Sequence, residues 1–199
     1  EDGFAIISPN GKLLNEFFIS DILIENNLSH YFLGVGAMEW DPFHLNDVDV
    51  AHFKSNYWNK GDVLLSLRNL SMILLYRPST NKVLWYQIGP WLSQHDPDFV
   101  DNKTISIFGN DTVSNYFNRG RNEKLYYGYN SIYLYDFDTN ITTKAFEKQM
   151  TESKFNTKTG GYHTIFDKNS LFVNYDEAGL GILYSDGNEI IITNLDNNE

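Results

Sequence analysis

Three of the five histidines in the chain stand where their side chains could take part in the same chemistry. His44 and His95 each open a strand-like run, and His163 lies just inside a third run of the same kind. A neutral imidazole is a good nucleophile near neutral pH. Because the chain has no cysteine and therefore no thiolate, histidine is the natural candidate for a covalent intermediate.

A buried cation is predicted at Arg68, which follows an apolar run at residues 63–67. An arginine at the end of a buried strand is costly unless it meets an anion, a carboxylate or water. Two roles are open for it, an ion pair with Asp47 or Asp96 and the binding of an anionic ligand. Solvated surface positions are predicted for the other three arginines, Arg77, Arg119 and Arg121.

Carboxylates crowd the two segments that carry His44 and His95. Paired carboxylates could act as a glycosidase acid and base, or could bind a hard metal together with histidine. Neither role has a diagnostic spacing here, and the chain has no HExxH, EF-hand, phosphate-loop or GxSxG motif. The acidic residues in question are Asp41, Asp47, Asp49, Asp96 and Asp98.

The elements that must position these side chains are β-strands joined by tight polar turns. Strand-like runs flank turns rich in Asn, Asp or Gly, which tolerate left-handed backbone and bond to it locally. These turns lie at residues 9–12, 78–81, 136–140 and 185–188. Only residues 20–33 carry a moderate helical pattern, with Ile22, Leu23, Leu28, Phe32 and Leu33 on one side.

The hairpins group into three units of four strands, at residues 44–89, 94–148 and 160–193. Four strands every 40–50 residues or so is the spacing of a β-propeller blade, and residues 3–19 would complete a preceding blade. The pattern thus predicts an all-β chain, with residues 1–199 forming one partial propeller of about three and a half four-stranded antiparallel blades.

First strands line the channel of a propeller, so His44 and His95 would converge there. We expect the chain to be part of a longer propeller, and closure of a small ring is the alternative. Two packed antiparallel sheets would fit the strand count but not the order of the units.

Composition excludes several classes of protein. The 199 residues carry 26 acidic and 15 basic side chains, a formal charge of −11, so a general nucleic-acid surface is not expected. Hydrophobic residues make up 42% of the chain, which is too many for a disordered protein. The longest apolar runs are far shorter than the roughly 20 residues of a membrane span, so none is expected.

Three segments resemble the bacterial arylsulfotransferase family. The family's H-[IL]-N-[DS]-[VI] segment matches residues 41–50 (DPFHLNDVDV). Its strand ending in S-x-R and its ILxIDPxTGKVxW hairpin match residues 61–89 (GDVLLSLRNLSMILLYRPSTNKVLWYQIG). Its Q-H segment and strand ending in F-x-N match residues 93–111 (SQHDPDFVDNKTISIFGND), and residues 160–187 are similar to a later blade.

The resemblance implies a six-bladed propeller that transfers a sulfuryl group from an aryl sulfate to a phenol without a nucleotide donor. By motif match, His95 would be the nucleophile that becomes sulfated in a ping-pong reaction. His44, Asn46 and Arg68 would bind the anionic group, and His163 is expected to contact substrate with them.

The implied partners are a small aryl sulfate and a phenol, and neither a metal nor another cofactor is needed. Trp40, Phe43, Trp91 and Tyr162 are expected to pack in the blades or to stack on the aryl ring. The family usually works outside the cytoplasm, so a periplasmic or secreted location is expected. Two alternatives stay open: a ligand-binding propeller of the same family without turnover, and a metal-dependent propeller hydrolase.

Overall fold

The computed structural model describes residues 2–34, 41–114, 124–185 and 188–193. Over these residues the regular structure is mostly antiparallel β-sheet with few helices, which confirms the predicted all-β class. It divides into two compact units, Glu1–Gly89 and Pro90–Glu199, and each is described by itself. Trp40, Arg119 and Arg121 lie outside the described residues.

The first unit contains a hairpin, two short helices and a four-stranded sheet. Strands β1 (Gly3–Ile7) and β2 (Leu13–Phe18) form the hairpin. Helices α1 (Ile19–Glu25) and α2 (His30–Leu33) follow it. The sheet pairs β3 (Leu45–Val50), β4 (Val63–Leu67), β5 (Met72–Arg77) and β6 (Lys82–Ile88) in chain order, as the predicted unit requires.

The core of the first unit lies between this sheet and the helices. Strand β4 is apolar apart from one serine and is buried throughout, as expected for a central strand covered on both faces. Ile22 and Leu23 of α1 pack in one cluster with Leu65 and Leu74 of the sheet. Each such side chain contributes on the order of 2 kcal/mol when it leaves water.

The helical segment at residues 20–33 differs in two respects from its prediction. Two short helices replace the single amphipathic stretch, and Leu33 is 59% exposed although the pattern placed it with the buried residues. The other four patterned residues, Ile22, Leu23, Leu28 and Phe32, are buried as predicted.

The second unit contains two four-stranded sheets. The first has the order β7 (His95–Phe99), β8 (Thr104–Gly109), β11 (Ser131–Asp136) and β12 (Ile141–Ala145). The second has the order β13 (Tyr162–Asp167), β14 (Ser170–Tyr175), β15 (Leu180–Ser185) and β16 (Asn188–Thr193). Each sheet falls inside one predicted four-stranded unit, and the assignment of these sheets as propeller blades stays a prediction.

Two elements of the second unit were not predicted. Strands β9 (Thr112–Ser114) and β10 (Lys124–Tyr126) form a small separate sheet between β8 and β11. Helix α3 (Glu147–Ser153) follows β12, and its Met150 packs into the core with Ile132 and Val173. The helix has seven residues and buries one of them, too little periodicity to stand out in the sequence.

Two of the hairpin turns contain the same tyrosine–asparagine hydrogen bond. In two different sheets, a tyrosine at the end of a strand donates its hydroxyl to an asparagine five residues later. Tyr76 binds Asn81 Oδ1 at 2.7 Å, and Tyr135 binds Asn140 Oδ1 at 2.9 Å. Both asparagines have positive φ, which this residue type tolerates best after glycine. The predicted role of asparagine in these hairpins is therefore confirmed at both turns.

The structure corrects the prediction that Arg77 is a solvated surface residue, because its guanidinium binds a buried carboxylate. Its Nε donates to Asp62 Oδ1 at 2.9 Å, and its Nη2 donates to Asp62 Oδ2 at 2.6 Å. Asp62 is 2% exposed and also accepts from the Asn59 backbone N–H. The hydrogen bond to Asp62 raises the pKa of Arg77. The pair fixes the start of β4 to the end of β5.

We expect Arg77→Met to lower the free energy of unfolding by about 3 kcal/mol, because Asp62 would stay buried without its cation. Urea unfolding followed by tryptophan fluorescence measures this change. Lys82→Met is the matched control, since Lys82 is exposed directly opposite Arg77 in the β5–β6 pairing, and its loss should change stability by less than about 0.5 kcal/mol. Equal losses in the two variants would contradict the assignment.

Candidate functional site

His44 and Arg68 are neighbours in the first unit, although 24 positions separate them in the sequence. The Arg68 backbone N–H donates to the His44 carbonyl at 3.1 Å, directly beyond the end of the β3–β4 ladder. A bulge between Leu45 and Asp47 makes Asn46 the extra residue of β3. Bulges change the direction in which nearby side chains point. Three residues predicted to bind the anionic group thus lie at one end of one strand pair.

Asp41 holds the His44 ring. One carboxylate oxygen accepts from the His44 backbone N–H at 3.0 Å, and the other accepts from Nδ1 of the ring. Since a carboxylate accepts the Nδ1 proton, the neutral ring carries its lone pair on Nε2. The ring therefore has a fixed orientation and a negative charge beside it.

Arg68 is half-buried and begins a short 3-10 turn, Arg68–Leu70. Burial lowers the pKa of its guanidinium, and the charge of Asp41 opposes that shift. Its Nη1 donates to Asn69 Oδ1 at 3.0 Å, and Asn69 Nδ2 donates to the Asp41 carbonyl at 2.6 Å. The guanidinium is thereby tied to the loop that orients His44. The carboxylate that acts on Arg68 is Asp41, which the sequence did not single out for this role.

His95, at the start of β7 in the second unit, is held by an amide. Its Nδ1 lies 2.6 Å from Oδ1 of Asn110, which is completely buried just beyond the end of β8. The identity of the amide atoms is fixed, because Asn110 Nδ2 donates to the carbonyls of Thr157 at 3.1 Å and Gly160 at 2.8 Å. The oxygen must therefore face His95.

This bond decides which nitrogen of His95 carries the proton. An amide oxygen only accepts hydrogen bonds, so Nδ1 of His95 carries the proton. The neutral ring then has its lone pair on Nε2. An amide partner adds no net charge, so the ring environment differs from that of His44, whose partner is a carboxylate.

A buried polar network supports Asn110 in turn. Asn130 Nδ2 donates to the Asn110 carbonyl at 2.6 Å and to the Thr157 carbonyl at 3.0 Å. The Thr157 backbone N–H donates to Asn130 Oδ1 at 2.6 Å. Satisfied buried networks of this kind specify a single arrangement, because each broken bond leaves a polar group without water.

Asp111 anchors the segment that leads into His95. Its Oδ1 accepts from the Leu92 backbone N–H at 3.2 Å, and its Oδ2 accepts from the Tyr133 hydroxyl at 3.0 Å. Burial raises the pKa of Asp111, and burial together with the Asp111 charge raises that of Tyr133. Asp111 is therefore held as a structural acceptor beneath residues 92–95.

His163 is buried on β13, and both nitrogens of its ring contact the sheet that carries His95. Nδ1 lies 2.9 Å from Asp96 Oδ2, and Nε2 lies 2.8 Å from Ser106 Oγ. Asp96, Asp98 and His163 also offer ligand atoms within 4.8 Å of one another, a donor set that suits a metal ion. The structure thus joins His163 to the residue that follows His95.

Two of the aromatic residues considered as ring-stacking partners lie in the core. Phe43 and Trp91 are buried, and the Trp91 ring makes an edge contact with Tyr133. Tyr162 is about half exposed on β13. Packing in the sheets, the alternative considered for these residues, accounts for Phe43 and Trp91.

The sequence did not identify Asn110, Asn130 or Asp111 as parts of a site. A signal was present for Asn110, since it is the asparagine of the strand that ends in F-x-N. Nothing local marks Asn130, whose partners lie 20 and 27 positions away.

The sheets define an all-β protein, and two of its histidines are held at strand ends by hydrogen bonds to Nδ1. The family model described as arylsulfotransferase (ASST) matches residues 1–198, and the chain belongs to that family. Neither the comparison with curated proteins nor that with solved structures gives a match. Family membership points to aryl sulfotransfer in general and to small aryl substrates. No helix among the described residues has the length and apolar character that crossing a membrane requires.

We expect Asn110→Ala to release His95 from the Nδ1-protonated form, because the amide oxygen that accepts the Nδ1 proton would be lost. Imidazole ¹⁵N chemical shifts, measured above the titration range of the ring, report which nitrogen is protonated. The exposed His52 ring in the same spectra serves as the internal reference. Unchanged His95 shifts in the variant would show that Asn110 does not set the tautomer.

Proposed function

We propose that the protein transfers a sulfuryl group from an aryl sulfate ester to a phenolic acceptor, with His95 as the nucleophile and no nucleotide donor. The observation that carries this proposal is the Asn110–His95 hydrogen bond, which places the ring's lone pair on Nε2. Family membership supplies the general reaction, and the QH segment supplies the motif match.

In the first half-reaction, the Nε2 lone pair attacks sulfur. The bond between sulfur and the aryl oxygen breaks, and the electron pair leaves with the phenolate. A phenol has a pKa of about 10, which makes the phenolate an acceptable leaving group. In the second half-reaction the oxygen of another phenol attacks sulfur, the S–N bond breaks, and its electron pair returns to Nε2. The phenolic proton passes to water, and the kinetics are ping-pong.

In this proposal, the sulfuryl oxygens are bound by His44, Asn46 and Arg68. Negative charge spreads over those oxygens in a loose transition state, as it does in phosphoryl transfer. Oriented N–H donors stabilise such charge most when they are fixed before the reaction. Asp41 and Asn69 provide that fixation, since they hold the Arg68 guanidinium and the His44 ring, whose Nε2 is an N–H donor in the imidazolium form.

The mechanism needs no metal and no organic cofactor, since the histidine and the leaving group supply all the chemistry. We also propose the extracytoplasmic location and the propeller architecture that the family resemblance implies. The partners of the reaction are then an aryl sulfate and a phenol from outside the cell's interior.

We expect His95→Ala to abolish transfer from 4-nitrophenyl sulfate to a phenol, because no nucleophile would remain. In the unaltered protein incubated with donor alone, mass spectrometry should find a sulfated peptide that contains His95. His52→Ala is the control, since His52 is exposed and has no role in the proposal. Full activity in His95→Ala would refute the mechanism. Donor binding without transfer or sulfohistidine in the unaltered protein would favour the non-catalytic binding module.

Arg68→Gln is expected to lower kcat/KM for the aryl sulfate by about 10²- to 10³-fold, the cost of removing one oriented donor from a developing anion. The shorter, uncharged amide keeps the first part of the side chain and removes the guanidinium. Steady-state kinetics with 4-nitrophenyl sulfate measure the effect. Lys60→Gln, an exposed cation near β4, controls for the general loss of positive charge. Equal kinetics for both variants would remove Arg68 from the site.

A further inference from the structure

We propose that His163 is a positioning residue that holds the backbone beside His95 and does not itself contact substrate. The inference rests on the proposed nucleophilic role of His95. It reassigns His163 from the expected substrate-binding role, because its side chain is completely buried and both ring nitrogens have partners.

The backbone next to His95 needs an external support. Asp96 has φ 51°, a left-handed conformation that aspartate tolerates better than most residues but that is still less favourable than ordinary backbone for a non-glycine residue. Pro97 follows and has no N–H to give to the ladder. The register pairs His95 with Phe108 and Asp98 with Ser106, which leaves Asp96 and Pro97 on a bulge.

His163 supplies this support through two donors on one oxygen. Asp96 Oδ2 accepts from the His163 backbone N–H at 2.5 Å and from its Nδ1 at 2.9 Å. Bonds to an ionised acceptor are stronger than neutral ones. The side chain of the strained residue is thereby fixed to a strand of the neighbouring sheet, 67 positions along the chain.

Ser106 fixes the ring from its other side. Because Nδ1 donates to Asp96, Nε2 of the neutral ring accepts a hydrogen bond, and the Ser106 hydroxyl can donate it at 2.8 Å. Ser106 is completely buried on β8, in register with Asp98. His163 therefore spans the bulge, bound on one side to the residue that follows the nucleophile and on the other to the strand beneath it.

One short segment then supports His95 from two directions. The carbonyls of Thr157 and Gly160 orient the Asn110 amide that fixes the His95 ring. His163, a few residues later, fixes the backbone at Asp96. Residues 157–163 thus control both the tautomer of the nucleophile and the direction of its Cα–Cβ bond.

Two conservative variants of His163 test its effect on the position of His95 separately from its effect on the stability of the fold. In His163→Asn, the amide nitrogen takes the place of Nδ1 and can still donate to Asp96, while the contact with Ser106 is lost. In His163→Gln, the amide reaches the place of Nε2 and can still contact Ser106, while the ring donor to Asp96 is lost. Each variant loses one side-chain partner, so similar thermal midpoints are expected.

We expect His163→Gln to lower the single-turnover rate of His95 sulfation by about 10²-fold, the effect of a misplaced reacting group. KM for the aryl sulfate should change much less, because the donors that bind it are untouched. His163→Asn should keep a rate close to that of the unaltered protein. The His95 ring ¹H and ¹⁵N signals should move in His163→Gln and stay in place in His163→Asn.

Equal rates and equal His95 signals in the two variants would overturn the positioning role. So would loss of activity on chelation of metal ions with recovery on adding Zn²⁺, since Asp96, Asp98 and His163 would then serve as ligands. If the His95 signals move as expected but His95→Ala keeps full activity, the nucleophile assignment fails while the support of the bulge by His163 stands.

Discussion

The hydrogen bond from His95 Nδ1 to the Asn110 amide is the contact on which the proposed chemistry depends. It turns an imidazole with two interchangeable nitrogens into a ring with one defined lone pair. The amide can do this only because the Thr157 and Gly160 carbonyls fix its own orientation. The core of the second unit therefore determines which nitrogen of the half-buried His95 ring carries the proton.

A histidine at the start of a first strand, beside a bulge, occurs in two of the described sheets, with a different partner on Nδ1 in each. His44 and His95 each stand at the start of the first strand of a four-stranded sheet, each beside a bulge. In both sheets an aspartate three positions later, Asp47 or Asp98, pairs with a buried serine of the second strand. The difference lies in the group on Nδ1, which is a carboxylate for His44 and an amide for His95. A carboxylate suits a ring that binds an anion as a cation, and an amide suits a ring that acts as a neutral nucleophile.

Predictions from sequence succeeded where the cause was local. Asparagine at a turn is read from a few neighbouring residues, and the Tyr76–Asn81 contact spans only five positions. Arg77 was placed at the surface because its partner, the buried Asp62, is 15 positions away. His163 was recognised as unusual from its place in the repeat, but its partners lie 57 and 67 positions away. Register and bulges decide such contacts, and neither can be read from composition or periodicity.

The partners of three aspartates bear on how a chain with a formal charge of −11 could bind the anionic ester of the proposed reaction. Asp41 accepts two donors from His44, and Asp96 accepts two from His163. Asp111 accepts from Leu92 and from Tyr133. If two carboxylates acted as an acid–base pair, one of them would have to face the substrate in its protonated form and donate that proton. These three instead orient rings and backbone and so act as supports, and the proposed mechanism assigns the reactive role to the imidazoles.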